Sequence, residues 1–215
     1  AVDAVLAAAG DHLRDAIVID HSTVSPAGVT ARAAALEARG IAFLHAPVFM
    51  SPTMCRQAGG MMLCAGPQNV FSRAETALQS MTGKLDYLGE RRDLAAAYKL
   101  FGNAMILTIA AGLADVFSMA SSLGIDPREA HSLFGKFNPT GVLTYRGSAM
   151  ARGDYAASFE LLMARKDIRL MLETVLNDKP LAVLPGIAAR MDALLDRGYA
   201  QDDVGILAVD AVPKK

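Results

Sequence analysis

Lys99 lies in the run Leu-Ala-Ala-Ala-Tyr-Lys-Leu-Phe-Gly-Asn over positions 94–103, with apolar residues around it. A lysine in apolar surroundings loses hydration, so its pKa falls, and it then suits general acid–base work. Asn103 follows four positions later, which on a helix puts both side chains on one face. The same pattern also reads as a lysine stem laid along an apolar helix with its ammonium in water. Lys166-Asp167 is a second candidate, although with Arg165 and Arg169 beside it the same letters more often mark the solvated face of an amphipathic helix. Asp20-His21-Ser22-Thr23 is a third, able either to bind a ligand or to cap a helix. His45 has the chemistry of a base, yet a histidine at a strand end more often makes one structural hydrogen bond. Cys55 and Cys64 lack the setting that favours a thiolate and lack metal-ligand spacing, so neither a nucleophile nor a metal site is expected. Met50, Met54, Met61 and Met62 read as core or as a soft apolar wall.

The elements that must position these residues fall into two halves, 1–90 and 91–215. The first half predicts helices over 2–13, 27–39 and 67–81 and short apolar strands over 16–19, 41–44, 61–65 and 84–88. Ser25-Pro26 starts the helix over 27–39 and Gly40 ends it. Strand and helix alternating at this spacing give βαβ units and a mostly parallel sheet. Ligands of such sheets sit beyond the carboxyl ends of the strands, where DHSTVSP and HAPVFMSP both fall. The second half is read as helical, with segments over 91–123, 127–134, 155–177 and 185–197. Gly102 and Gly112 cost that first long helix about 1 kcal/mol each relative to alanine. A close approach by another backbone or a ligand accounts for them.

The chain has 215 residues with 21 basic and 22 acidic side chains, and this near-neutral balance excludes an electrostatic nucleic-acid binder. Apolar residues make up 53%, enough for a sizeable core and too many for a disordered chain. No uninterrupted apolar run reaches the about 18–20 residues of a membrane span. Acidic residues near the first positions do not match a secretory signal, so a reducing cytoplasm is the expected setting.

Taken in order, these pieces resemble the β-hydroxyacid dehydrogenase family, which includes 3-hydroxyisobutyrate dehydrogenase and, more distantly, 6-phosphogluconate dehydrogenase. The matching residues are Asp20-His21-Ser22-Thr23-Val24-Ser25-Pro26, Ala46-Pro47-Val48, Gly59-Gly60-Met61-Met62-Leu63, Lys99 with Asn103, and Lys166-Asp167. The family's G-x-G-x-x-G loop has no counterpart in this sequence. The resemblance implies the C-terminal part of a Rossmann-like nucleotide-binding domain (1–90), then an all-helical substrate and dimerisation domain (91–215), joined by a long helix. It implies NAD or NADP as cofactor, no metal, and hydride transfer between a hydroxy acid and its carbonyl partner. It places the acid–base role on Lys99 and substrate holding on Asn103. It places cofactor contacts on Ser22, Thr23, Lys166 and Asp167. Where the family continues A-P-V-S-G-G, this chain has Phe49-Met50-Ser51-Pro52. Phe49 and Met50 then face a larger or more apolar substrate, and Ser51 is left as the hydroxyl of that loop. An imine or carbonyl reductase with an apolar pocket is the neighbouring reading, against which the retained Lys99 argues. A non-catalytic dimerisation or binding module is the alternative of a different class. Homodimers or homotetramers and a small-molecule substrate are the implied partners, with neither nucleic acid nor membrane.

Overall fold

The computed structural model describes residues 1–213. Two compact units are present, Ala1–Ile106 and one beginning at Leu107, and the division falls inside one long helix.

In the first unit, helix α1 (Val2–Ala9) ends in a tight turn over Gly10–Leu13, where the sequence predicts one helix over 2–13. Gly10 takes a positive φ there, and the helix ends on it. Strand β1 (Ile17–Asp20) pairs in parallel with β2 (Ala42–His45), Asp20 opposite His45. Between them runs α2 (Pro26–Glu37), whose cap Ser25 accepts a hydrogen bond from the Gly28 amide at 3.2 Å with Pro26 in the first turn. The chain then continues through Ala46-Pro47 into β3 (Val48–Phe49), passes the short helix α3 (Pro52–Arg56), and returns as β4 (Met61–Cys64). Helix α4 (Gln68–Gln79) connects β4 to β5 (Lys84–Tyr87), which pairs with β4 in parallel.

One pairing departs from the sequence expectation: β3 and β4 are antiparallel, with Phe49 opposite Met61. A parallel pair needs a crossover of about a dozen residues or more, usually a full helix. The connection over 50–60 holds only the single short turn of α3, so the chain must double back. Gly60 makes the return possible. Its φ is +74°, and a Cβ there would lie 2.6 Å from Met50 Cγ and 2.7 Å from the Phe49 carbonyl oxygen. His45 and Ala65 exchange backbone hydrogen bonds at 3.1 and 3.0 Å, which ties the end of β2 to the end of β4.

Helix α5 (Leu94–Ser122) spans 29 residues and carries only Lys99 and Asp115 as charged side chains. By length and composition it is apolar enough to cross a membrane, which corrects the expectation that no stretch of the chain is. Its Phe101, Ile106, Leu107 and Ile109 are all more than half exposed.

The second unit continues with α6 (Pro127–Ser132), α7 (Gly147–Ala151), α8 (Leu161–Thr174) and α9 (Leu184–Leu195). Leu161, Ala164 and Ile168 of α8 pack against Leu184, Ala188, Met191 and Leu194 of α9, together with Ile206. The sequence predicts helix from 155, but α8 begins at Leu161. The Asp203 carboxylate accepts from the amides of Ser158 and Phe159, both at 3.0 Å, and so holds this backbone outside the helix. The same carboxylate accepts from Arg146 Nε at 2.7 Å and from the Gly205 amide at 2.9 Å.

Candidate active site

Lys99 is 9% exposed. Its Nζ lies 4.0 Å from the centre of the Phe49 ring. Burial pushes its pKa below the ordinary lysine value. The placement follows from two local facts. Phe49 is held on β3 by its pairing with Met61 of β4, and it packs on Leu63, Ala65 and Ala95. Ala95 and Ala96 bury the first turns of α5 in this unit, which brings Lys99 one turn later against the ring. Gly102 leaves the space the ring fills: a Cβ there would lie 2.6 Å from Phe49 Cε1. Asn103, half-buried, follows Lys99 by one helical turn.

The three loop residues expected near substrate part ways. Phe49 meets Lys99. Met50 packs on the cluster of Leu44, Ala46, Met62 and Cys64. Ser51 caps α3, its hydroxyl accepting from the Met54 amide at 3.2 Å.

A second cluster sits at the carboxyl ends of β1 and β2. The buried Asp20 carboxylate takes Arg32 Nη1 at 3.0 Å and the Ser22 amide at 2.9 Å. Two histidines then cross between the loops. His45 Nε2–H donates to the Ser22 carbonyl at 3.0 Å, and His21 Nδ1–H donates to the Ala46 carbonyl at 2.6 Å. His45 is fully buried, and among the described residues its Nδ1 has no partner. Burial lowers its pKa, while the Ser22 bond and the Asp20 charge oppose the fall. These contacts fix the backbone of Ser22 and Thr23, and the Thr23 side chain is exposed. The loop therefore offers hydroxyls at the strand end where an α/β sheet binds its ligand, a donor set that fits the polar nicotinamide end of a dinucleotide. Lys166 and Asp167 lie on α8 of the second unit and pair with each other at 2.9 Å, both partly exposed.

Asp115 escaped the sequence reading. It is 2% exposed and accepts from the amides of Ala182, Val183 and Leu184 at 2.5, 3.0 and 2.9 Å, capping the start of α9 from another helix. The signal was its isolation, since it is the only acid inside the apolar α5. Asp203 gave no such signal; its donors, from Arg146, Ser158, Phe159 and Gly205, are assembled only by the fold. Cys64 is buried and its thiol is pushed up to about 12, so it is unsuited to nucleophilic work.

Residues 1–89 match the family profile described as the NAD binding domain of 6-phosphogluconate dehydrogenase. Among curated proteins, the chain is similar to the mitochondrial 3-hydroxyisobutyrate dehydrogenase of Drosophila melanogaster, at 25% identity over 90% of this chain and 62% of that protein. It is 26% identical to 3-hydroxyisobutyrate dehydrogenase of Pseudomonas aeruginosa over 78% of this chain and 60% of that protein. The chain thus spans about three fifths of the length of these relatives. Among solved structures, an imine reductase from Streptomyces aurantiacus superposes with a TM-score of 0.86 at 19% identity, covering 100% of this chain and 76% of that one. An imine reductase from Myxococcus stipitatus in complex with NADP+ gives 0.84 at 16% identity, covering 92% and 71%. At these identities the superpositions establish the fold. The nucleotide-binding profile covers most of the first unit and the dehydrogenase relatives align across both, so the chain is similar to the β-hydroxyacid dehydrogenases and has their two-part fold.

Proposed function

We propose that the protein is an NAD(P)-dependent oxidoreductase interconverting a small hydroxy acid and its carbonyl counterpart, with Lys99 as the general acid–base. The observation that carries this is a nearly buried lysine with a lowered pKa, one helical turn from a polar amide, on a fold shared with nicotinamide-dependent enzymes. When bound, the cofactor supplies or accepts the hydride. In reduction, negative charge grows on the carbonyl oxygen, and Lys99 Nζ donates the proton that neutralises it. In oxidation the neutral amine takes that proton from the hydroxyl, and burial, which lowers the lysine pKa, favours that neutral form. Asn103 orients the substrate beside Nζ. Ser22 and Thr23 hold the nicotinamide end of the cofactor, and Lys166 and Asp167 are further candidate cofactor contacts. Lys99→Ala is expected to lower turnover by about 10²–10⁴-fold while leaving NADH or NADPH affinity within a few fold. Retained turnover sinks the assignment.

A second reading rests on the Phe49 ring, which puts an aromatic face where the family has a serine. It favours an apolar carbonyl or imine as substrate, and parallel turnover of hydroxy acids and cyclic imines by one preparation separates the two. The exposed apolar residues of α5 further support an assembly in which a second copy of the chain covers them. Light scattering showing a dimer or tetramer supports that assembly, and a monodisperse monomer rejects it. A tight oligomer that binds neither nucleotide would instead make the chain a non-catalytic assembly module.

A further inference from the structure

Among the described residues Lys99 makes no ion pair and no hydrogen bond, and the only charge-stabilising group beside Nζ is the Phe49 ring at 4.0 Å. The ring face carries the negative end of an aromatic quadrupole, so it attracts an ammonium. The ring itself is fixed by the β3–β4 pairing, by Leu63, Ala65 and Ala95, and by Gly102. Gly102 is a second, independent sign of the arrangement. A glycine inside a helix is destabilising, and here it stands where any side chain would collide with the ring edge.

We propose that Phe49 is a positioning residue for Lys99: its ring, seated on Gly102, holds the ammonium in one place and stabilises its charged form. This rests on Lys99 being the acid–base group. Among the described residues no other titratable side chain acts on Lys99, so two effects compete there: burial lowers the pKa and the ring raises it. The ring therefore keeps the lysine loaded with the proton that reduction consumes. It also confines a four-carbon stem that would otherwise sample many rotamers.

The test is the titration of Lys99 Nζ, followed by heteronuclear NMR of the side chain in the full protein. The set is wild type, Phe49→Leu, Phe49→Tyr and Gly102→Ala. Leucine keeps the apolar volume and removes the ring, so the Lys99 pKa is expected to fall by about half a unit to one unit. Tyrosine keeps the ring face and should restore the wild-type value. Gly102→Ala displaces the ring and should lower the pKa as leucine does. An unchanged or raised pKa in Phe49→Leu overturns the proposal, as does a tyrosine variant that behaves like leucine. The pH profile of NAD(P)H turnover separates this from the function itself. If the pKa falls in Phe49→Leu and the profile does not follow, the ring's role stands and Lys99 is not the acid–base group. If the pKa is unmoved and Lys99→Ala is inactive, the catalytic assignment stands and the ring's role is lost.

Discussion

Replacing Asp115 by alanine removes the acceptor of three backbone amides at once. Hydrogen bonds to a charged group contribute about 1.5–3 kcal/mol each, and a buried donor left unpaired costs about 1–3 kcal/mol. Only the Leu184 bond is fully buried, and water entering the vacated space can satisfy part of the other two. The cost is therefore about 3–5 kcal/mol, a large share of the total stability of a domain. Asparagine should recover part of it, because its amide oxygen can still accept from Val183 and Leu184 while its NH₂ faces the Ala182 amide and the charge is gone. Urea unfolding followed by helical ellipticity reads the global loss, and amide exchange at Val183 and Leu184 reads it locally. The pH dependence supplies a further check. Burial alone would raise the Asp115 pKa, but the three amides outweigh it and the folded value lies below the ordinary one. Its stabilisation is thus fully present above the unfolded value of about 3.9 and is lost as pH falls through the folded one. The alanine variant should lack that component of acid destabilisation. A loss below about 1 kcal/mol, with exchange at 183 and 184 unchanged, would refute the reasoning.

Other outcomes follow from the same structure. Asp203→Asn leaves Arg146 without its carboxylate and frees residues 158–159 to extend α8 backwards; a loss of about 3 kcal/mol by urea unfolding is expected. His45 has a folded pKa below its unfolded value, so protons prefer the unfolded chain between those two values. Stability should therefore rise with pH through that window, at and below about 6.5, and thermal melts of His45→Gln should lose this component. His21→Ala removes one of the two histidine bonds that tie the β1 and β2 ends together, so NAD(P)H affinity should fall several-fold with the melting temperature little changed.

The strands and most helices were legible because apolar runs with glycine and proline stops specify them locally. Ser25-Pro26 and Gly40 illustrate this, bounding α2 within three residues of the expected ends. The antiparallel β3 was not legible, since two residues carry no periodicity and the direction comes from the short return through α3. The late start of α8 was hidden for another reason: Asp203, more than forty residues away, decides it. The spacing of Lys99 and Asn103 singled them out, and only the family resemblance gave them roles. The contact that gives Lys99 its setting was not legible, because Phe49 and Gly102 come together only when β3 packs on α5.

The proposed role of Lys99 is to move the proton that accompanies hydride transfer. The most direct measurement is single-turnover oxidation of NADH or NADPH by wild type and Lys99→Ala, with nucleotide affinity measured on the same preparations. Expected for Lys99→Ala are equal nucleotide affinity, a chemical step slower by about 10²–10⁴-fold, and loss of the pH dependence that the lysine confers. A chemical step unchanged in rate and in pH profile would contradict that role.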